Sequence, residues 1–138
     1  MTPPPLRAGL IGTGFIGPVH AEALARLGVE LVAACGSSRG IDALSKRFSV
    51  RETYADYDHQ ALIDSTAVDV VHITSPNRCH FAQAMAVIGA GKHCVCEKPL
   101  AMTTRETAAI ARAARRSGRV FAVNYNVRFY PAVLKLRR

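Results

Sequence analysis

The sequence predicts an α/β domain built on a doubly wound parallel sheet. Three observations carry this prediction: short apolar runs alternate with segments of helical spacing, the connecting loops are short, and a glycine-rich turn directly follows the first apolar run. In such a pattern successive strands lie parallel, because each helix carries the chain back across the sheet by a right-handed crossover.

The first part of the chain alternates apolar strands with glycine-marked turns and helices. The predicted elements are a strand at 6–11, a glycine loop at 12–17, a helix at 18–27, a strand at 30–35 and a turn at 36–40. Gly28 is well suited to the position just after a helix. Ile41, Leu44 and Phe48 recur at helical spacing and predict the next helix.

The second part repeats the alternation. The predicted elements are a short strand at 51–54, a small helix at 58–64, a strand at 68–73, a helix marked by Phe81, Met85 and Ile88, a strand at 93–96, a helix from 103 and a last strand at 119–123. Val70, Val71 and Ile73 form a nearly continuous apolar run, which is typical of a parallel strand covered on both faces. Thr103 and Glu106 have the spacing of a capping box.

Length and composition indicate one globular domain. The chain has 138 residues, 49% of them hydrophobic and 20% charged, which suits a single core. We assign residues 1–123 to the sheet domain and 124–138 to a connector. No apolar run approaches the roughly 18 residues that cross a membrane. No signal sequence precedes the first strand, so a cytoplasmic protein is expected.

The four cysteines do not indicate a metal site or disulfides. Cys94 and Cys96 form a C-x-C without the second pair that a zinc site needs, so no metal is expected. Reduced, mostly buried thiols are the interpretation. The remaining cysteines are Cys35 and Cys79.

The net charge is +8, and much of it lies late in the chain. Arg105, Arg112, Arg116 and Arg119 fall on one face of the predicted helix, which we interpret as a solvated helix face. Nucleic-acid binding would need aromatic residues among these arginines, and none interleave with them. No nucleic-acid partner is therefore expected.

The loop after the first strand has the pattern G-x-G-x-x-G. Its residues are Gly12, Thr13, Gly14, Phe15, Ile16 and Gly17. In a strand–turn–helix context the first glycine permits the tight turn, the second lets the backbone approach a pyrophosphate, and the third lets helix and strand pack closely. The helix N-terminus then offers free N–H groups to the phosphates. The loop therefore predicts a dinucleotide site.

The end of the second strand bears on which dinucleotide is bound. NAD sites usually carry an acidic residue there, but no carboxylate occurs between Leu31 and Asp42. Ser37, Ser38 and Arg39 would instead hold a 2′-phosphate. NADP(H) is favoured. The alternative is that Ser37 only caps the turn, Arg39 is solvated, and the cofactor is NAD(H).

Three later motifs indicate a particular family of proteins. They are D-V-V-H-I-T-S-P-N at 69–77 followed by His80, G-K-H-C-V-C-E-K-P at 91–99, and N-V-R-F-Y-P at 126–131. With the glycine loop, these resemble the glucose–fructose oxidoreductase / inositol dehydrogenase / rhizopine-catabolism family, called Gfo/Idh/MocA. The resemblance covers residues 6–131, and the segment ending in E-K-P is its most specific element.

The resemblance implies an activity and a set of site residues. The activity is hydride transfer between NAD(P) and a sugar, polyol or related carbinol. Lys98 matches the lysine near the nicotinamide and the reacting carbinol, where a cation favours the charge change at oxygen. The other residues implied to lie along the cofactor are Thr74, Ser75, Pro76, Asn77, His80, Glu97, Pro99, Asn126 and Arg128. Pro99 is also expected to follow a cis peptide bond. His20 and His72 are interpreted as structural histidines.

The family also has a C-terminal α/β domain, which has no counterpart in these residues. That domain supplies most substrate contacts, so dinucleotide binding with little turnover is expected of this chain. Self-association is a further expectation. The alternative is a stand-alone dinucleotide-binding sensor or regulatory module without catalysis.

Overall fold

The computed structural model describes residues 5–137, and the extreme ends of the two predicted ranges, 1–4 and 138, lie outside it. Six strands form one sheet: β1 (Arg7–Ile11), β2 (Glu30–Cys35), β3 (Glu52–Tyr54), β4 (Val70–Ile73), β5 (His93–Glu97) and β6 (Phe121–Asn124). Their spatial order is β3-β2-β1-β4-β5-β6, and every neighbouring pair is parallel. The predicted doubly wound, Rossmann-type sheet is confirmed.

Within residues 5–137, six helices connect or follow the strands. They are α1 (Gly17–Arg26), α2 (Ser38–Ser45), α3 (His59–Asp64), α4 (His80–Gly89), α5 (Thr104–Ser117) and α6 (Pro131–Leu136), with 3₁₀ turns at Asn77–Cys79 and Asn126–Phe129. None of the helices within residues 5–137 is long and apolar enough to cross a lipid bilayer.

The sheet separates two apolar cores. Helices α1 and α2 contribute Ala21, Leu24 and Leu44 to one core. Leu62, Val87 and Ile110 from α3, α4 and α5 belong to the other. The near-continuous apolar run of β4 follows from this arrangement, since Val70 enters the first core while Val71 and Ile73 enter the second.

Three predicted boundaries lie two or more residues from the observed ones: β4 begins at Val70 rather than 68, and the other two have identifiable local causes. The Ser37 hydroxyl accepts a hydrogen bond from the Gly40 N–H at 3.2 Å and caps α2, so the helix begins at Ser38 and the predicted turn does not extend to residue 40. The last strand begins at Phe121 rather than 119. Gly118 ends α5 with a φ of +66°, and the Arg119 N–H is bound to Ser117 Oγ at 3.1 Å.

Candidate functional site

The candidate site lies at the carboxyl ends of β1 and β4, where the strand order reverses. Ile11 at the end of β1 is paired with Cys35 of β2 on one side and with Ile73 of β4 on the other. The loops that follow these strands diverge to opposite faces of the sheet and leave a crevice between them, the place where open α/β sheets bind ligands.

The three glycines of the first loop differ in what surrounds them. Gly12 has a φ of +103°, and a Cβ there would lie 2.6 Å from the Ser75 nitrogen. A Cβ on Gly17 would collide with the Gly12 carbonyl. A Cβ on Gly14 would face open space, with no atom of another part of the chain within 4 Å. This environment matches the three roles predicted from the sequence: a tight turn, a backbone open to a ligand, and close packing of helix on strand.

Helix α1 begins directly at this loop. Gly17 is its first residue and Pro18 follows in the first turn, where a missing N–H is harmless. Within the described residues no side chain caps Ile16, and the first turn carries no acidic residue. The N-terminal N–H groups and the positive end of the helix dipole therefore remain available to an anion.

The loop after β4 braces the glycine turn. The buried Thr74 hydroxyl donates to the Gly12 carbonyl at 2.6 Å and lies 3.1 Å from the Ile11 carbonyl. The Ser75 hydroxyl donates to Gln83 Oε1 at 2.5 Å. Pro76 and Asn77 are exposed on the rim. Thr74 is thus placed to hold the turn, and Ser75 and Pro76 line the crevice beside it.

His80 lies beneath the same loops and is fully buried. Its Nδ1 is 2.8 Å from the Pro99 carbonyl, and its Nε2 is 2.9 Å from the Ser75 carbonyl. Both ring nitrogens thus face protein carbonyls, and His80 links the loop after β4 to the loop after β5. Its place along a cofactor stays a prediction.

Two adjoining grooves run along the crevice. One, of about 390 Å³, is lined by the glycine loop together with Ser37, Tyr57 and Ser75. The other, of about 680 Å³, continues past Cys35 and Gln83. Sequence reasoning missed Tyr57, His59, Arg78 and Cys79, which line the second groove. The sequence did contain a signal for Tyr57 and His59. The loop after the predicted strand at 51–54 must lie at the same edge of a parallel sheet as the glycine loop.

The residues after β2 lie beside these grooves. Ser37 is part of the groove wall, whereas Ser38 and Arg39 are exposed on the first turn of α2. Because Ser37 Oγ accepts from the Gly40 N–H, its own hydroxyl proton is still free to be donated. The capping alternative and the phosphate-binding interpretation are therefore compatible for this residue.

The motif E-K-P occupies the end of β5. Glu97 is buried, Lys98 is exposed, and the Lys98–Pro99 peptide bond is cis, as the resemblance implied. Glu97 Oε1 accepts from Asn124 Nδ2 at 2.6 Å and from His20 Nε2 at 3.0 Å, while Oε2 accepts from the Lys98 N–H at 3.1 Å. Both carboxylate oxygens are therefore engaged inside the protein.

The His20 ring extends this network to the centre of the sheet. Its Nδ1 lies 2.9 Å from Nδ1 of His72, and the two rings meet edge to face. Burial, reinforced by the nearby His20, lowers the pKa of His72 to about 4. Burial alone would raise the pKa of Glu97, but the hydrogen bonds from His20, Asn124 and the Lys98 N–H outweigh it and hold that pKa below its usual value.

Some predicted residues are not brought to the grooves. Asn126 and Arg128 lie exposed on the last 3₁₀ turn, where the Arg128 guanidinium stacks over the Phe129 ring at 5.4 Å. Neither residue is part of a groove wall, and neither is Lys98. Phe15, in contrast, projects from the glycine loop with 94% of its surface exposed.

Comparison with known proteins agrees with this geometry. Residues 6–125 match the family model described as "Oxidoreductase family, NAD-binding Rossmann fold". The chain is 36% identical over 143 residues to the D-glucoside 3-dehydrogenase of Escherichia coli strain K12, an alignment that covers 99% of the chain and 39% of that relative.

Two solved structures illustrate the similarity. The biliverdin reductase from Synechocystis sp. PCC 6803, in complex with biliverdin and NADP⁺, superposes with a TM-score of 0.87 at 30% identity, covering 97% of this chain and 42% of that one. A levoglucosan dehydrogenase in complex with NADH and levoglucosan gives 0.84 at 32% identity, covering 94% and 37%. The chain therefore spans about two fifths of the length of these relatives, and the rest of them has no counterpart in its 138 residues.

Proposed function

The chain belongs to the Gfo/Idh/MocA family of oxidoreductases, and on that premise we propose that it is the nucleotide-binding domain of an enzyme that transfers hydride to or from a sugar, polyol or related carbinol. The observation that carries the proposal is the glycine turn. Gly14 faces open space at the N-terminus of an uncapped helix, and two grooves lead away from it along the crevice.

The residues present fit a dinucleotide. The N–H groups around Gly14 and the start of α1 would hold the pyrophosphate, and the exposed Phe15 would cover it. Ser75 and Pro76 would form the opposite wall. Thr74 and His80 would act from beneath, by fixing the loops that carry these groups. When bound, a nicotinamide ring supplies the acceptor or donor of the hydride.

Lys98 is the residue that we propose to act on the substrate. Loss of a hydride from a carbinol leaves a developing carbonyl, whose oxygen must also release a proton. In the reduction direction the exposed Lys98 ammonium can stabilise the negative charge that develops on the carbonyl oxygen as hydride arrives, and then donate its proton to that oxygen. In the oxidation direction the neutral amine of Lys98 accepts the same proton as hydride leaves. The Glu97 carboxylate would serve by fixing the Lys98 N–H rather than by touching the substrate.

We propose NADP(H) as the preferred cofactor, with NAD(H) as the alternative. Support comes from the absence of a carboxylate in the sequence between Leu31 and Asp42 and from the exposed Arg39 beside the groove. Among the relatives, one structure contains NADP⁺ and another contains NADH, so both cofactors occur in this fold.

Titration of the purified chain with NADPH and with NADH tests this proposal. We expect tighter binding of NADPH, and Arg39→Ala should weaken that binding by about tenfold while leaving NADH unaffected, because one charge-assisted bond to the 2′-phosphate is lost. Ser38→Asp should act in the same direction by charge repulsion. Arg115→Ala, which removes an exposed arginine from α5, is the matched control.

The outcomes separate the two levels of the proposal. NADH binding as tight as NADPH binding would refute the NADP(H) preference and keep the dinucleotide site. If a folded chain bound neither cofactor, the dinucleotide site itself would be refuted.

We further propose that these 138 residues bind the dinucleotide with little or no turnover. Support comes from Lys98, which lies outside the groove walls, and from the share of the relatives' length that the chain spans. Hydride transfer needs a substrate held in near-attack geometry, and most of that hold would have to come from elsewhere. We expect no NADPH formation with a D-glucoside or levoglucosan, followed by absorbance. Steady turnover at enzyme-like rates would contradict this proposal.

A cytoplasmic location and self-association complete the proposal. Support for the first comes from the cysteines, which are all unpaired thiols. Burial raises the pKa of Cys35 to about 11 and that of Cys96 to about 12, so both thiols stay protonated and unreactive. Exposed Phe129 and Leu136 support the second.

A further inference from the structure

The contact between His20 and His72 has a chemical requirement that the sequence does not reveal. Their Nδ1 atoms are 2.9 Å apart, so one proton must lie between them, because two N–H groups or two lone pairs would repel. The other nitrogen of His20, Nε2, lies 3.0 Å from Glu97 Oε1, which can only accept, and 3.2 Å from Asn124 Nδ2. Because Asn124 Nδ2 donates to the same carboxylate oxygen at the shorter distance of 2.6 Å, we place a proton on Nε2 that faces Glu97.

With His72 neutral, as its lowered pKa favours, two proton arrangements satisfy these requirements. In the first, His20 is neutral, its Nδ1 is bare, and the Nδ1–H of His72 donates to it. In the second, His20 carries protons on both nitrogens and donates to a bare Nδ1 of His72, whose own proton has moved to Nε2. All contacts of the network persist in both arrangements, and His72 is neutral in each.

We propose that His20 is a positioning residue that holds Glu97, and through it the Lys98 N–H, in both of its own protonation states, with His72 exchanging tautomer to make this possible. The relevance of this positioning to catalysis rests on the proposed function of Lys98. The positioning and the tautomer exchange themselves require only the folded chain.

The surroundings of His20 favour this mechanism. The titratable groups that face its ring are His72 from β4 and Glu97 from β5, while β6 contributes the uncharged Asn124. The α1 residues on the same buried face, Ala21 and Leu24, are apolar. The lowered pKa values of His72 and Glu97 favour a neutral His72 and a charged Glu97, the forms that both arrangements require.

Nitrogen-15 NMR of the histidine rings tests the tautomer exchange directly. As the pH is lowered, we expect His72 to change from the Nδ1–H to the Nε2–H form whenever His20 gains its second proton. A His72 ring that keeps one tautomer throughout, or that becomes doubly protonated itself, would overturn the proposal.

Hydrogen exchange of the Lys98 amide tests the positioning. His20→Gln can still donate to Glu97 through its side-chain amide but cannot titrate, whereas His20→Leu removes the donor. We expect exchange at Lys98 to accelerate by at least about tenfold in the leucine variant and to stay within about twofold of the unmodified protein in the glutamine variant. His93→Gln, at the opposite end of β5, is the control for loss of a strand histidine.

Equal protection in both His20 variants, or equal loss, would refute the positioning role. If His20→Leu does not fold, the NMR titration of the unmodified protein still decides the proposal. Neither experiment needs a cofactor, so failure of the dinucleotide titration would refute the proposed function and leave this inference untouched.

Discussion

At the scale of single residues, the space around Thr13 explains two glycines that no turn requires. Neither Gly36 nor Gly40 has a positive φ, yet a Cβ on either would collide with the Thr13 side chain. The threonine of the glycine loop therefore occupies a notch formed by the end of β2 and the first turn of α2. Its fit fixes the distance between the two loops that line the groove.

This fit predicts that the usual effect of replacing a helical glycine by alanine on the free energy of unfolding is reversed at Gly40. Alanine normally stabilises a helix interior relative to glycine by about 1 kcal/mol. Gly40→Ala should instead lower the free energy of unfolding by about 1–3 kcal/mol, because Thr13 must move. In a Thr13→Ala background the same substitution should cost less, because the closest contact, with Thr13 Oγ1, is gone, while the Cβ of residue 13 still lies 2.8 Å from the added atom. Urea unfolding of the four proteins of this cycle measures the coupling.

Gly89→Ala is the matched control for the cycle. Gly89 is the last residue of α4, and no atom lies within 4 Å of the added Cβ. We expect this variant to be neutral or slightly stabilised. If Gly40→Ala changed the free energy of unfolding equally in the unmodified protein and in Thr13→Ala, the proposed contact between Thr13 and residue 40 would be contradicted.

At the scale of elements, the sequence predicts those features whose signals are local. The capping box is confirmed: Thr103 Oγ1 accepts from the Glu106 N–H at 3.2 Å, and Glu106 accepts from the Thr103 N–H at 3.1 Å. The start of α2 was missed because Ser37 was interpreted as part of a turn and a phosphate ligand, although serine is equally a helix cap.

The site contacts that could not be predicted from the sequence join residues that are far apart along the chain. The interpretation of His20 and His72 as structural histidines agrees with their burial and mutual contact, but Glu97 is 77 residues from His20 along the chain. No local pattern connects them. The two carbonyl partners of His80 likewise come from separate loops, which no local pattern connects.

At the scale of the whole molecule, the carboxylates and the histidine with shifted pKa values share one direction of pH dependence in the acid range. The salt bridge with Arg7 lowers the pKa of Asp69, and hydrogen bonds from Ser65 and Tyr54 lower that of Glu52. Glu97 and His72 are lowered as well. In each case the unfolded chain binds a proton more readily than the folded one, so acid favours unfolding.

We therefore expect the free energy of unfolding to fall as the pH decreases. His72 contributes between its unfolded value of 6.5 and its folded value of about 4, and the carboxylates contribute below about 4.5. The limiting contribution of His72 is ~3 kcal/mol. Chemical denaturation at several pH values measures the slope, which His72→Gln should flatten between pH 6.5 and 4 and the control His93→Gln should not. An unchanged slope in His72→Gln would contradict the assignment.

The position of β1 beside β4 has a consequence for how the chain acquires its binding site. Ala8 pairs with Val70, 62 residues later, and only this pairing brings Thr74 under the glycine turn. Closing so long a loop is slow relative to forming the local β1–α1–β2 unit. A partly folded chain that has made only its local contacts therefore has the glycine loop without its brace. A ligand of this crevice selects molecules that have completed the long-range step, and so it can protect the folded state during synthesis.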